Sequence, residues 1–481
     1  MVFSDLFFLF VFIPAFALCY LLATIIDRKL LSSPTHRSCL SKNIIIVLFS
    51  LIFYGWGEPI YVFLMILCVL FNYLSGLGID RFNGRARKTA LVIGLICNIA
   101  ILGVFKYADF FAQILCDIGL SIPKPNISLP IGISFYTFQS MSYLIDVYRK
   151  ESPAQRHFGN LLLYISMFPQ LVAGPIVRYD TIAREINNRK VTLNDVTDGT
   201  YRFLIGLGKK VIIANQFSEL ADQFLLNGIN DLSTAGAWIG IIAFTFQIYF
   251  DFSGYSDMAI GMGRCMGFHF NENFNHPYCC NSITDFWRRW HISLGSFFRD
   301  YVYIPLGGNR HHQVINILIV WFLTGMWHGA SWNFILWGVY FGIIVMLEKY
   351  TLLRVINKIP APFLHIYSLT IVVFGWGLFY FESLDNLHIF VNSFFGNTTI
   401  ASDIVEESAF FNNFWLWIVA IIFSMPTRTY ASNLLSRSIS NENAVAWVRL
   451  SSRIVISLSI LILSVALLVG ATNNAFIYTR F

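Results

Sequence analysis

The sequence predicts an all-helical integral membrane protein, and three observations carry that prediction. Charged residues make up only 12% of the 481-residue chain against 56% hydrophobic, and mean hydropathy is +0.62. A soluble domain carries about a quarter charged residues, so this chain lacks the polar surface to coat a globule. Apolar runs approaching the ~20 residues needed to cross a bilayer recur from end to end. Several of them are interrupted by Pro, Gly and polar side chains, the pattern of bundle-buried helices or re-entrant segments. Together these predict about 11–12 transmembrane helices plus re-entrant segments, in a single domain over residues 1–481.

In chain order the candidate spans are 6–26, 43–56, 59–78, 89–105, 159–177, 203–218, 235–255, 313–327, 333–348, 365–381, 413–425 and 452–471. The run after Met1 is long and has no basic leader, so it reads as a retained first span rather than a cleaved signal. Segment 127–148 carries Pro130, Gly132 and many Ser, Tyr, Thr and Gln groups. Facing lipid would strand those groups, which predicts that the segment dips into the protein interior. Arg28, Lys29, Arg37 and Lys42 follow the first span, and Arg81, Arg85, Arg87 and Lys88 follow the third. Both clusters orient toward the cytoplasm, which places the N-terminus outside. Arg437, Arg449 and Arg453 precede the last span and place the C-terminus outside as well, with an even number of crossings.

The net charge of +6 sits in such loop clusters and reads as an orientation signal, not as a nucleic-acid footprint. The eight cysteines form no CxxC pair and no zinc spacing, so no metal site is expected; most behave as small hydrophobes. The absence of GxSxG, Walker A, GxGxxG in its strand–helix setting and HExxH disfavours a serine hydrolase and an ATP-driven pump.

Chemistry concentrates between Phe274 and Phe334. His328, in GMWHGASWNF, falls at the junction of two apolar spans, where an ionisable group is costly and points to function. Imidazole can accept a proton near neutral pH, which suits a general base. Gly325 and Gly329 would let a substrate or another helix come close, while Trp327 and Trp332 would wall the site. A neutral core histidine bonded to a helix carbonyl remains the structural alternative. In DFWRRWHISL, helical spacing places Trp287 with His291 and Phe286 with Trp290. That reads as an interfacial amphipathic helix, with Arg288 and Arg289 available to grip phosphate and His291 to orient an acyl group, or simply as a membrane anchor. Asp251 and Asp257, in YFDFSGYSDMAIG, need cationic partners, which the arginines of 285–299 would supply. The break in MFPQLVAGPIVRYD lines a cavity or kinks a packing helix.

Taken together, LPIGISFYTFQSMSYLIDVYR (129–149), FPQLVAGPIVR (168–178), DFSGYSDMAIG (251–261), FNHPY (274–278), DFWRRWHISL (285–294), FRDYVYIPLGGNR (298–310) and GMWHGASWNF (325–334) resemble the membrane-bound O-acyltransferase (MBOAT) family. More specifically, they resemble its bacterial alginate and peptidoglycan O-acetyltransferase branch. That resemblance implies a many-helix funnel, with the catalytic histidine at His328 and a second functional histidine at His291. The sequence departs from the pattern at Cys279–Cys280 and at Gly295–Ser296–Phe297, which bears on substrate range rather than on the histidines. The C-terminal FIYTRF (476–481) is similar to hexapeptides of extracellular polymer acylation systems, which would make Tyr478 a transient acyl acceptor.

The implied activity is O-acetyl transfer from a cytoplasmic thioester, with acetyl-CoA as donor and no bound cofactor. The protein would be a multi-pass component of the bacterial inner membrane, embedded in the lipid bilayer. A periplasmic or membrane-anchored partner of the serine-esterase (SGNH) O-acetyltransferase type would deliver the group to an exported polysaccharide. D-alanyl transfer to a cell-wall polymer and a non-enzymatic transporter or channel are the rival classes.

Overall fold

The structure, a computed structural model, describes residues 1–31, 38–172, 174–398, 401–439, 441–471 and 476, and these residues form helices and loops without a strand. Among the described residues, seven helices are long and apolar enough to cross a bilayer: Phe8–Leu30, Leu40–Gly57, Tyr61–Arg81, Gly84–Asp117, Thr234–Cys265, Ala361–Tyr380 and Glu442–Val469. An eighth arises if Ile404–Asn412 and Phe414–Ser424, bent by 57°, act as one broken span. This multi-pass, all-helical architecture is the expected class, with fewer span-length helices than the 11–12 anticipated. The run at 159–177 breaks after Ser166 into helices Phe158–Ser166 and Phe168–Leu171, nearly all of whose side chains are buried. Gln313–His328 is only 16 residues long. The broken pair is clad in protein, and the length of such helices is not set by the bilayer.

The chain divides into two compact units: Met1–Phe203 with Tyr255–Asn271, and Leu204–Gly254 with Glu272–Phe481. In the first unit, helix Ile133–Arg149 occupies the interior, with Ser, Thr, Gln and Tyr side chains among its buried positions. This is the interior placement its polarity demands. Gly76 of Tyr61–Arg81 makes room for it: a Cβ there would lie 2.6 Å from the Tyr143 hydroxyl. Neighbouring spans are also joined by a buried amide pair, Asn98 Nδ2 donating to Asn72 Oδ1 at 2.8 Å and Asn72 Nδ2 to Asn98 Oδ1 at 3.2 Å. Such interhelical bonds contribute about 0.6–2 kcal/mol inside a membrane, where packing alone gives no hydrophobic driving force. Arg189 is held at its base by Asn43 Oδ1 (2.6 Å), the Met266 carbonyl (3.0 Å) and the face of Phe268 (4.5 Å).

The second unit has an aromatic core in which Trp287, Trp290, Trp321, Trp337, Trp376 and Phe341 meet, largely edge to face. Helices Gln313–His328 and Trp332–Tyr350 cross at very short range. A Cβ on Gly325 would collide with the Phe334 carbonyl, and one on Gly329 with the Phe334 ring. These glycines therefore admit a helix and a ring, not a substrate. All eight cysteines are free thiols.

Candidate functional site

The sequence around the site explains its local shape. Helix Ile283–Arg289 begins where Ser282 Oγ accepts from the Asp285 amide at 3.0 Å. The buried Glu348 carboxylate accepts from the Ile283 and Thr284 amides at 2.6 and 2.8 Å. A carboxylate at a helix N-terminus satisfies amides that have no intrahelical acceptor and sits favourably in the helix field. The helix stops at Arg289, because Trp290 is extended and His291 adopts a left-handed conformation (φ 42°). A second short helix, Ile292–Phe298, starts immediately after it. The amphipathic helix expected to carry Trp287 and His291 on one face is thus two helices joined by a sharp turn. Trp287, Phe286 and Trp290 pack in the aromatic core rather than lie along an interface.

A left-handed non-glycine residue costs about 1–3 kcal/mol and persists only where its surroundings hold it. Asn273 does that here. Its backbone carbonyl accepts from the Ile292 amide at 2.9 Å. Its side-chain Oδ1 lies 3.2 Å from the Ser293 amide, 2.9 Å from Ser293 Oγ and 3.1 Å from His291 Nδ1. His291 is 2% exposed, with Phe252 packed edge-on at 4.7 Å. It lies between spans rather than in one, and burial lowers its imidazole pKa to about 3. The ring is therefore neutral at physiological pH.

His328 ends helix Gln313–His328 and is 6% exposed. Trp327, Trp337 and Phe379 surround its ring at centroid distances of 4.9, 5.0 and 5.2 Å. Trp327 also lies 5.9 Å from His291, so it stands against both imidazoles. Trp332, by contrast, is 50% exposed.

Both histidines line one cavity of about 480 Å³ within the second unit. Ser296, Thr324, Arg288 and Arg299 share its wall. Lys349 lies near enough to Arg288 for the two cations to repel each other. Arg299 is bound side-on to Asp300, at 2.6 and 3.0 Å. The two arginines of the RR pair separate in role: Arg288 borders the cavity, while Arg289 pairs with Asp285 at 2.9 Å one helical turn back.

The ion pairs of the two aspartates differ from expectation. Asp251 pairs with buried Lys210 at 2.8 Å, and Asp257 with Arg202 at 2.8 Å, rather than with the 285–299 arginines. Both cations lie on the run from Leu193 through Ala214, which packs along Thr234–Cys265 closely enough that a Cβ on Gly254 would reach the Gly206 carbonyl at 2.7 Å. Lys210 was legible as an apolar-run cation in need of a partner, the same signal that flagged Asp251. Asn273 and Glu348 went unnoticed. Their signal was the need of each short helix for an outside acceptor at its first amides. Tyr478 lies outside the described residues. Phe476 is buried, 6.2 Å from Phe252, the ring packed on His291.

Comparison with known proteins gives this constellation its context. Residues 129–391 match the MBOAT, membrane-bound O-acyltransferase, family. The chain is 40% identical over 395 residues to a probable alginate O-acetylase AlgI of Azotobacter vinelandii, covering 80% of this chain and 76% of that one. It is 36% identical over 381 residues to a peptidoglycan O-acetyltransferase of Helicobacter pylori, covering 73% and 70%. A teichoic acid D-alanyltransferase of Bacillus subtilis matches at 28% over 247 residues, covering 47% of this chain and 62% of the relative. The matched region contains both histidines, the cavity between them and the helices that hold them, and the chain belongs to the membrane-bound O-acyltransferase family as a multi-pass membrane O-acyltransferase.

Proposed function

We propose that the enzyme moves an acetyl group from a cytoplasmic thioester, acetyl-CoA, through the inner membrane for O-acetylation of an exported polysaccharide. The observation that carries this reading is the cavity shared by His328, His291 and the arginines Arg288 and Arg299. A phosphate-bearing thioester suits such a wall, because guanidinium groups bind phosphate with charge-assisted hydrogen bonds. The names of the relatives support acetyl over D-alanyl: the acetylases match over most of this chain, the D-alanyltransferase over less than half of it.

In the proposed step His328 takes the proton of an acceptor hydroxyl as its oxygen bonds to the thioester carbonyl carbon. The carbon–sulfur bond then breaks, and the imidazolium returns its proton to the leaving sulfur. The acceptor is Tyr478 or a hydroxyl on an extracytoplasmic carrier. Burial of Phe476 in the core beside Phe252 supports the tail reading, because it fixes the chain two residues before Tyr478 close to the His291 side of the site. A serine-esterase-type partner outside the membrane would complete delivery to the polymer.

The test supplies radiolabelled acetyl-CoA, or a D-alanyl carrier thioester, to the cytoplasmic face of vesicles holding the enzyme. Transfer from acetyl-CoA alone supports the reading, and transfer from the D-alanyl donor alone replaces it with the rival acyl group. Solute flux without ester formation would instead indicate a transporter. In parallel, full polymer acetylation by Tyr478→Phe would remove the tail from the mechanism.

A further inference from the structure

The hydrogen bonds around Asn273 fix more than the turn. Ser293 is the second residue of helix Ile292–Phe298, so its amide has no intrahelical acceptor, and it points at Asn273 Oδ1 from 3.2 Å. A backbone amide can only donate. The atom facing it must therefore be the carboxamide oxygen, because flipping the side chain would set an NH2 group against an N–H. Asn273 and Ser293 are both buried, so water cannot take the place of the missing acceptor. That settles the neighbouring contact as well. His291 Nδ1 lies 3.1 Å from the same oxygen, and an unprotonated ring nitrogen would oppose lone pair to lone pair. The proton belongs on Nδ1. Ser293 Oγ, 2.9 Å from Oδ1 and 3.4 Å from Nδ1, is consistent with this, because as a donor it also points at the oxygen.

We infer that Asn273 is a positioning residue that locks His291 in the Nδ1–H tautomer, which makes Nε2 the ring nitrogen able to accept a hydrogen bond. The burial of the ring, which keeps it neutral, means that Nε2 carries no proton of its own. His291 is then unsuited to donate to the thioester carbonyl oxygen. It is suited to hold an O–H or N–H group of a substrate, such as the acceptor hydroxyl or an amide N–H of the donor's arm. The two histidines bordering the cavity thus have separable tasks: proton transfer at His328 and orientation of a donor group at His291. This assignment rests on the proposed acyl-transfer reading for its role in the reaction, but the tautomer itself does not.

The experiment reads the tautomer directly. Protein labelled with isotopic nitrogen in histidine is reconstituted in bilayers, and the His291 ring signals are identified by their loss in His291→Gln. A proton on Nδ1 with a bare Nε2 is the expected result. A proton on Nε2, or on both nitrogens, overturns the inference. Asn273→Ala should shift population to the Nε2–H form and lower kcat by roughly 10²-fold, the scale of a lost orienting contact, with KM little changed. Ser293→Ala, which leaves Oδ1 facing Nδ1, should keep the tautomer and most of the rate. A fall in kcat for Asn273→Ala with the Nδ1–H signal intact would overturn the link between tautomer and rate. Where Asn273→Ala fails to fold, the unmodified protein and Ser293→Ala still decide the tautomer. Failure of acetyl transfer from acetyl-CoA would sink the donor assignment while leaving the ring signals unchanged, so the two claims fail separately.

Discussion

His291 and His328 border one cavity, yet the groups around them differ in kind. The first is fixed by directional hydrogen bonding: one carboxamide oxygen lies against its Nδ1 and against the helix that follows. The second sits among three aromatic rings within about 5 Å of its own. A hydrogen bond specifies which nitrogen carries the proton, whereas an aromatic enclosure specifies the ring's position without choosing between its nitrogens. A base must exchange a proton during turnover, and an orienting group must not. The two environments therefore suit the two tasks assigned to them.

Substitutions that attack one kind of restraint should spare the other. The largest effect is expected at His328→Ala, where loss of the base should lower kcat by about 10²–10⁴-fold with protein level maintained, measured as initial transfer rate. Next comes Phe379→Ala, which opens the enclosure of His328 and removes a buried aromatic side chain. It should cost about 3–5 kcal/mol of stability, and Phe379→Leu should recover most of both stability and rate. Thermal unfolding in detergent checks the first and transfer assays the second. Asn273 variants, in contrast, should alter the His291 signals and leave the His328 enclosure intact.

Smaller effects are expected at the cationic wall. Arg288→Ala should raise KM for the thioester donor by about tenfold with kcat nearly unchanged, because the contact is made to a group that does not react. Arg288→Lys should recover it only partly, since an ammonium lacks the guanidinium fork. The smallest effect is at Asp285→Asn, which breaks the half-exposed pair with Arg289 and should change stability by less than about 1 kcal/mol. Equal KM effects from removing Arg288 and Arg289 would erase the distinction drawn between those neighbours.

The parts of this arrangement that follow from composition and spacing were legible from the chain alone. Scarce charge and recurring apolar runs gave the membrane class, and the polar content of 127–148 gave the interior placement of helix Ile133–Arg149. His328 stood out as an ionisable residue between two apolar runs, and it does close a helix at the cavity. Spacing misled where a turn interrupts it. Helical periodicity carried Trp287 through to His291, but the left-handed backbone at His291 ends that register, and no local signal marks a left-handed histidine. Spacing does not name the partners of Asp251 and Asp257, because pairing depends on which helices pack together. Asn273 lies eighteen positions from His291, and only the fold makes them neighbours.

The most direct test of the account is the acetate-ester content of the exported polymer in cells whose only copy of the enzyme carries His328→Ala, matched for protein in the membrane. The account predicts ester near the level of cells lacking the enzyme. Ester at the unmodified level would contradict a base at position 328 and with it the division of labour between the two histidines.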